Sequence, residues 1–164
     1  MSHDSAPPGT AAVDPALAKA REALPESVAI WLIDGFNVLH AGFFENQERT
    51  QWWTAAYRDR LVERIQQFPQ VAEEIWIVFD GPRAPAEDGS NELCRTIADC
   101  PVHRVFSSSA DDWLLRRVRA DESPQRLAVV TGDRPLGNRA RHRNAHVVSP
   151  RTFLAHCVIE GTDA

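Results

Sequence analysis

The sequence predicts an α/β sandwich with a mostly parallel central sheet of about five strands, and three observations carry that prediction. Short apolar runs alternate with stretches of helical periodicity, the pattern of parallel strands joined by helical crossovers. The first run, Val28 to Ile33, is apolar throughout, as a strand covered on both faces should be. Four runs then lead into aspartate: Asp34, Asp80, the pair Asp111-Asp112, and Asp133.

Element by element, residues 1 to 13 are rich in Ser, Ala, Pro and Gly and read as a disordered tail. Asp14 and Pro15 suit the start of a short helix that Pro25 closes after Leu24. After the first strand, Trp53, Tyr57, Leu61, Ile65 and Phe68 recur at three- and four-residue spacing, with Arg58, Asp59, Glu63, Arg64 and Gln66 elsewhere, which predicts a surface helix. Ile75 to Phe79 is the second strand, and Gly81 to Asn91 is a long loop. Val102 to Phe106 is the third strand, followed by a helix from Ala110 to Ala120. Arg126 to Val130 is the fourth, followed by a helix that ends near His142. A short fifth strand, Ala145 to Val148, leads to Ser149-Pro150, which opens a last helix ending near Ile159.

The 164 residues fit one domain, and 43% hydrophobic residues suffice for its core. The expected divisions are a tail and short helix over 1–24, a folded domain over 25–160 and a tail over 161–164. A formal net charge of −5 argues against coating nucleic acid through bulk positive charge, so a polyanion would be met by a local basic rim. Cys94, Cys100 and Cys157 lack the paired spacing of zinc sites and read as buried or incidental thiols of a reducing compartment. No leader pattern and no membrane-length apolar run is visible, so the expected location is cytoplasmic.

Each aspartate has an ordinary explanation. Asp34 and Asp80 precede glycine and suit turns. Asp111 and Asp112 follow Ser109 with capping-box spacing, and Asp133 before Arg134-Pro135 suits an N-cap. Their conjunction is harder to explain that way, because strands in parallel bring their C-terminal ends to one edge, where open sheets bind ligands. Carboxylates crowded there repel one another unless a cation neutralises them. Oxygen donors without a histidine or cysteine cluster favour Mg²⁺ or Mn²⁺ over zinc.

The ordered segments Ile33-Asp34-Gly-Phe-Asn37-Val-Leu, Val78-Phe-Asp80, Ser109-Ala-Asp111-Asp112-Trp-Leu and Val130-Thr-Gly-Asp133-Arg resemble the motifs of NYN domains, PIN-like nucleases, in their YacP-like branch. The likeness covers about residues 28 to 155. It implies a Rossmann-like, PIN-like three-layer sandwich and a metal-dependent ribonuclease, with RNA (mRNA, rRNA or tRNA) as substrate and the ribosome or another ribonucleoprotein as a conceivable partner. Asp34, Asp111 and Asp133 would bind the metal directly or through water, Asp112 and Asp80 would complete its outer shell, and Asn37 would orient a ligand or water. Asp34, Asp111, Asp112 and Asp133 are the candidate catalytic residues. Two features depart from the pattern: Leu114-Leu115-Arg116 stand where related chains often carry a further acid, and Thr131-Gly132-Asp133 replaces a common Thr-Ser-Asp. One-metal chemistry or feeble activity would follow from a lost outer acid.

Arg83 and Arg134, beside proposed ligands, and Arg139, on the helix after Asp133, are the candidate substrate contacts. Arg141, His142 and Arg143 read instead as a solvated helix end, and Arg116, Arg117 and Arg119 as dipole partners of the helix begun by Asp111. Of the five tryptophans, only Trp52 is a candidate for stacking on bases. The alternatives are an RNA- or ribonucleoprotein-binding module that cuts weakly or not at all, and a phosphotransfer domain with an aspartate nucleophile. The latter is weakest, because it wants Asp-x-Asp or a lysine near the site and neither stands at Asp34, the only lysine, Lys19, falling in the N-terminal appendage.

Overall fold

The computed structural model describes residues 22–43, 55–81 and 94–157. Strand β1 (Ile30–Asp34) passes directly into helix α1 (Gly35–Phe43); helix α2 (Ala55–Ile65), strand β2 (Glu74–Asp80) and the two-residue strand β3 (Cys94–Arg95) follow. Then come β4 (Pro101–Ser107), α3 (Ala110–Ala120), a 3-10 turn (Pro124–Arg126), β5 (Leu127–Val130), α4 (Arg134–His142), β6 (His146–Val148) and α5 (Pro150–His156). The sheet has six strands in the order β3-β4-β2-β1-β5-β6. All pairings are parallel except that of β3 with β4.

The side chains of β1 alternate between the two helical layers. Trp31 and Ile33 join one core with Val38, Leu39, Leu61, Ile65 and Phe153, whereas Ile30 and Leu32 join another with Leu114, Val118, Leu136 and Ala140. Both faces of a central strand are thus dry, which is why its sequence is apolar without interruption. At the centre of the first core the Trp31 ring lies 5.2 Å from that of Phe68 and 5.4 Å from that of Phe153, a cluster of large aromatic surfaces. Cys100 and Cys157 are buried, and burial pushes their thiols up to about 11 and about 12. That keeps them protonated and unreactive near neutral pH.

Several expectations change. The sheet has six strands rather than about five, because β3 pairs antiparallel at the edge. Helix α1 occupies residues that carried no helical prediction, and the last helix stops at His156. Glu22 to Leu24 are not helical; Leu24 packs into the first core instead. Arg58, placed by periodicity on the outer side of α2, is buried, with its guanidinium 5.3 Å from the Phe106 ring centroid. Arg64 turns inward too, donating to the backbone carbonyls of Leu154 at 3.1 Å and Cys157, where the carbonyls of α5 run out of helical partners. The tail before residue 22, Trp52, Trp53 and nearly all of the loop after Gly81 lie outside the described residues. Among the described residues no helix is long and apolar enough to cross a membrane.

Candidate functional site

The strand order brings four aspartate-bearing strand ends side by side. Between β1 and β5 the connections diverge, α1 and α2 leading toward β2 and α4 toward β6 on the other side. Such a divergence opens a crevice beyond the carboxyl ends of the strands. Asp34 is the last residue of β1 and lies level with Val78; Asp80 ends β2 level with Ser107 of β4; Ile33 lies level with Val130, so Thr131 and Asp133 emerge beside Asp34.

Local geometry explains why each side chain sits there. Asp34 accepts from the Asn37 backbone N–H at the start of α1 and from the Thr131 hydroxyl at 3.1 Å. Thr131 Oγ1 in turn accepts from the Asp133 N–H at 3.1 Å, and Asp133 caps α4 by accepting from Leu136 N–H at 3.1 Å. The Asn37 side-chain oxygen accepts from Gly132 N–H at 2.6 Å, so this asparagine ties the end of β5 to α1 and keeps its NH₂ to meet a ligand. Ser109 caps α3 through the Asp112 N–H at 3.2 Å, while Asp80 reaches from β2 to accept from the Ala110 N–H at 2.8 Å. The ordinary explanation and the positional one therefore hold together: Asp34, Asp80 and Asp133 satisfy orphaned amides and, by doing so, are held at the edge.

Gly35 is required by packing. A Cβ there would stand 2.5 Å from two carbons of the Phe79 ring and 3.0 Å from the Val78 carbonyl. Gly81, with φ +112°, is instead a turn glycine, and its N–H donates to Ser107 at 2.8 Å.

Electrostatically the acids form one group. Burial, chiefly, and then the charges of Asp111 and Asp80 push the Asp34 carboxyl up to about 7, against the hydrogen bonds from Thr131 and Asn37. Asp111, although its side chain is exposed, is raised as well by partial desolvation, with Asp133, Asp80 and Asp112 adding to it, while Arg139 pulls the other way. Asp111 and Asp112 are exposed in the first turn of α3, and their carboxylates make no hydrogen bond among the described residues. Arg134 is exposed at the first position of α4. Arg83 lies outside the described residues. Sequence reasoning missed Thr131, which bridges Asp34 to Asp133; its position beside the strand end was the available signal.

Among the described residues no three His, Cys, Asp or Glu side chains are grouped closely enough to hold a metal ion. The carboxylates are a loose cluster rather than a finished cage. Their chemistry nonetheless suits a hard dication: every donor is oxygen, two of the acids are held toward the protonated form by desolvation and then by their neighbouring carboxylates, and Mg²⁺ keeps several waters while taking only one or two carboxylates.

Comparison with known proteins bears on the same segments. No curated protein matches the chain. The crystal structure of Rae1 (YacP) from Bacillus subtilis is similar, with a TM-score of 0.60 and 18% identity over 79% of this chain and 74% of that one. A single-substitution mutant of that protein gives 0.57 and 18% over 79% and 75%. At that identity the likeness speaks to the fold, a PIN-like sandwich. The family model described as the YacP-like NYN domain matches residues 31–160, from the first strand through every aspartate at the edge, and the chain belongs to that family.

Proposed function

We propose that this protein is a metal-dependent ribonuclease that hydrolyses RNA phosphodiester bonds internally. The observation that carries the reading is that Asp34, Asp80 and Asp133 all lie within electrostatic reach of Asp111, and Asp34 within that of Asp80, where the strand connections diverge. The resemblance of NYN domains to PIN-like nucleases supports the choice of RNA. Asp34, Asp111 and Asp133 would hold Mg²⁺ or Mn²⁺ directly or through water, with Asp80 and Asp112 around them. When bound, the ion supplies a water of lowered pKa and offsets charge on the phosphate as the bond breaks.

The chain's own groups do the rest. Thr131 and the Asn37 amide keep Asp34 in place, and Asn37 sets the spacing between the ends of β1 and β5. Arg134 and Arg139 meet the phosphate oxygens, Arg83 being the third candidate.

A second reading, an RNA-binding module without cleavage, is favoured by the loose carboxylate grouping and by the commitment of Asp80 to the α3 amide. One assay separates them. With Mn²⁺, wild-type protein cuts a defined RNA oligonucleotide, and EDTA or Asp34→Asn abolishes the cutting by at least a hundredfold, roughly 3 kcal/mol of barrier. RNA left intact by clean wild-type protein in Mn²⁺ overturns the nuclease reading, and RNA retention unchanged by EDTA then selects the binding module.

A further inference from the structure

A second feature lies between the C-terminal halves of α3 and α4, down the molecule from the acidic edge. There a groove of about 310 Å³ is lined by Leu115 and Arg119 from α3 and by Asn138, Arg139, His142 and Arg143 from α4 and its end. No carboxylate lines it. Among the described residues Arg119, Arg139, His142 and Arg143 make no hydrogen bond or ion pair through their side chains, whereas Arg95, Arg104, Arg117 and Arg126 all pair with acids.

Attraction to helix dipoles accounts for a cation or two at a helix end. It does not account for two helices turning theirs into one concavity, where like charges repel unless an anion arrives. Helix geometry connects the groove to the site: Asp111, Leu115 and Arg119 follow at four-residue steps along one face of α3, a rise of about 12 Å from the acids to the cations. On α4, Arg139, His142 and Arg143 lie at steps of three and four along one face, starting six residues beyond Asp133. On their other side Arg119, His142 and Arg143 also line a wider cavity of about 550 Å³ together with Asp121 and Glu122, acids that end the positive stretch there.

We propose that the valley between α3 and α4 is a track for the phosphate backbone of single-stranded RNA, with Arg119 and Arg143 as its outer contacts and Arg139 as the link to the acidic edge. This rests on the ribonuclease reading for the identity of the polyanion, and it departs from the sequence expectation that Arg119, His142 and Arg143 merely complement helix dipoles. The negative molecule thereby meets RNA through a local stripe rather than through net charge.

The test measures binding of a fluorescent single-stranded RNA to the full chain in EDTA across a salt series, separately from cleavage. The Arg119→Ala/Arg143→Ala double variant is expected to bind at least tenfold more weakly, with the slope of log affinity against log salt shallower by about 1.4, or about 0.7 per lost phosphate contact. Arg119→Lys/Arg143→Lys should retain most of the slope, and Arg95→Ala, on edge strand β3, should match wild type. Both groove arginines are exposed, so the melting temperature of the double variant should stay near that of wild type. Unchanged affinity and slope in the double variant, or no RNA binding by wild type at low salt, overturns the track. So does displacement of RNA by a polyglutamate peptide as readily as by unlabelled RNA. Loss of binding in the double variant alongside absent cleavage by wild type sinks the nuclease reading and leaves the track standing.

Discussion

Asp34 is the residue where structure and chemistry pull hardest against each other. It is 5% exposed, caps α1, and has its carboxyl raised from an ordinary 3.8 to about 7, chiefly by burial. The folded state therefore holds this proton more tightly than the unfolded chain does. Below pH 3.8 both states are protonated and Asp34 costs nothing; the cost grows as pH rises toward 7 and is complete above it. Asp34→Asn keeps one side-chain oxygen as an acceptor for the Thr131 hydroxyl and removes the charge. The variant should melt higher than wild type at pH 8 by several degrees, roughly 1–4 kcal/mol, with the gap shrinking toward pH 5. Paired thermal melts at the two pH values check this, and a variant that melts lower at pH 8 refutes it. The sequence disclosed Asp34 and the other acids of the edge because apolar runs lead into them. It did not disclose Arg58, because a guanidinium lying over the Phe106 ring obeys no hydrophobic period.

At the scale of elements, legibility followed the strength of the local signals. Helix α3 begins and ends where expected because Ser109 caps it and its apolar stripe is regular. Helices α4 and α5 were announced by Asp133-Arg-Pro135 and Ser149-Pro150. Helix α1 was hidden because β1 hands over to it without a loop and a glycine stands first, so Asp34-Gly35 reads as a turn. Strand β3 was hidden because two residues carry no period. The glycine that disguised α1 is also what permits it. Gly35→Ala would force a Cβ against the Phe79 ring and the Val78 carbonyl, and overpacking of that kind costs about 1–3 kcal/mol. Urea denaturation should show that loss, and metal-dependent cleavage should fall with it, because the shift moves Asp34 and Asn37 away from Thr131 and Gly132. A midpoint equal to wild type would mean that Phe79 has room to retreat.

For the whole molecule, the edge is where distant parts of the chain are both held together and driven apart. The ends of β4, β2, β1 and β5 are adjacent, and the acids they present repel, so this edge concentrates like charge in the folded state. A dication bound there removes the repulsion and links strands far apart in sequence, while the unfolded chain offers no such site. Binding to the native state alone stabilises by RT ln(1 + [L]/Kd), about 1.4 kcal/mol for each tenfold rise in free ion above the dissociation constant. The melting temperature of wild-type protein at pH 7.5 should therefore climb with the logarithm of Mg²⁺ or Mn²⁺ at constant ionic strength and return with EDTA. In Asp34→Asn/Asp111→Asn the climb should vanish, even though this variant begins from a higher melting temperature in EDTA because its carboxylates no longer repel. Those two movements, a raised baseline and a lost response, distinguish a metal centre from general screening of a negative protein, which would lift both proteins alike. Equal slopes in the two would place the ion elsewhere on the surface and leave the acids of the edge without a dication.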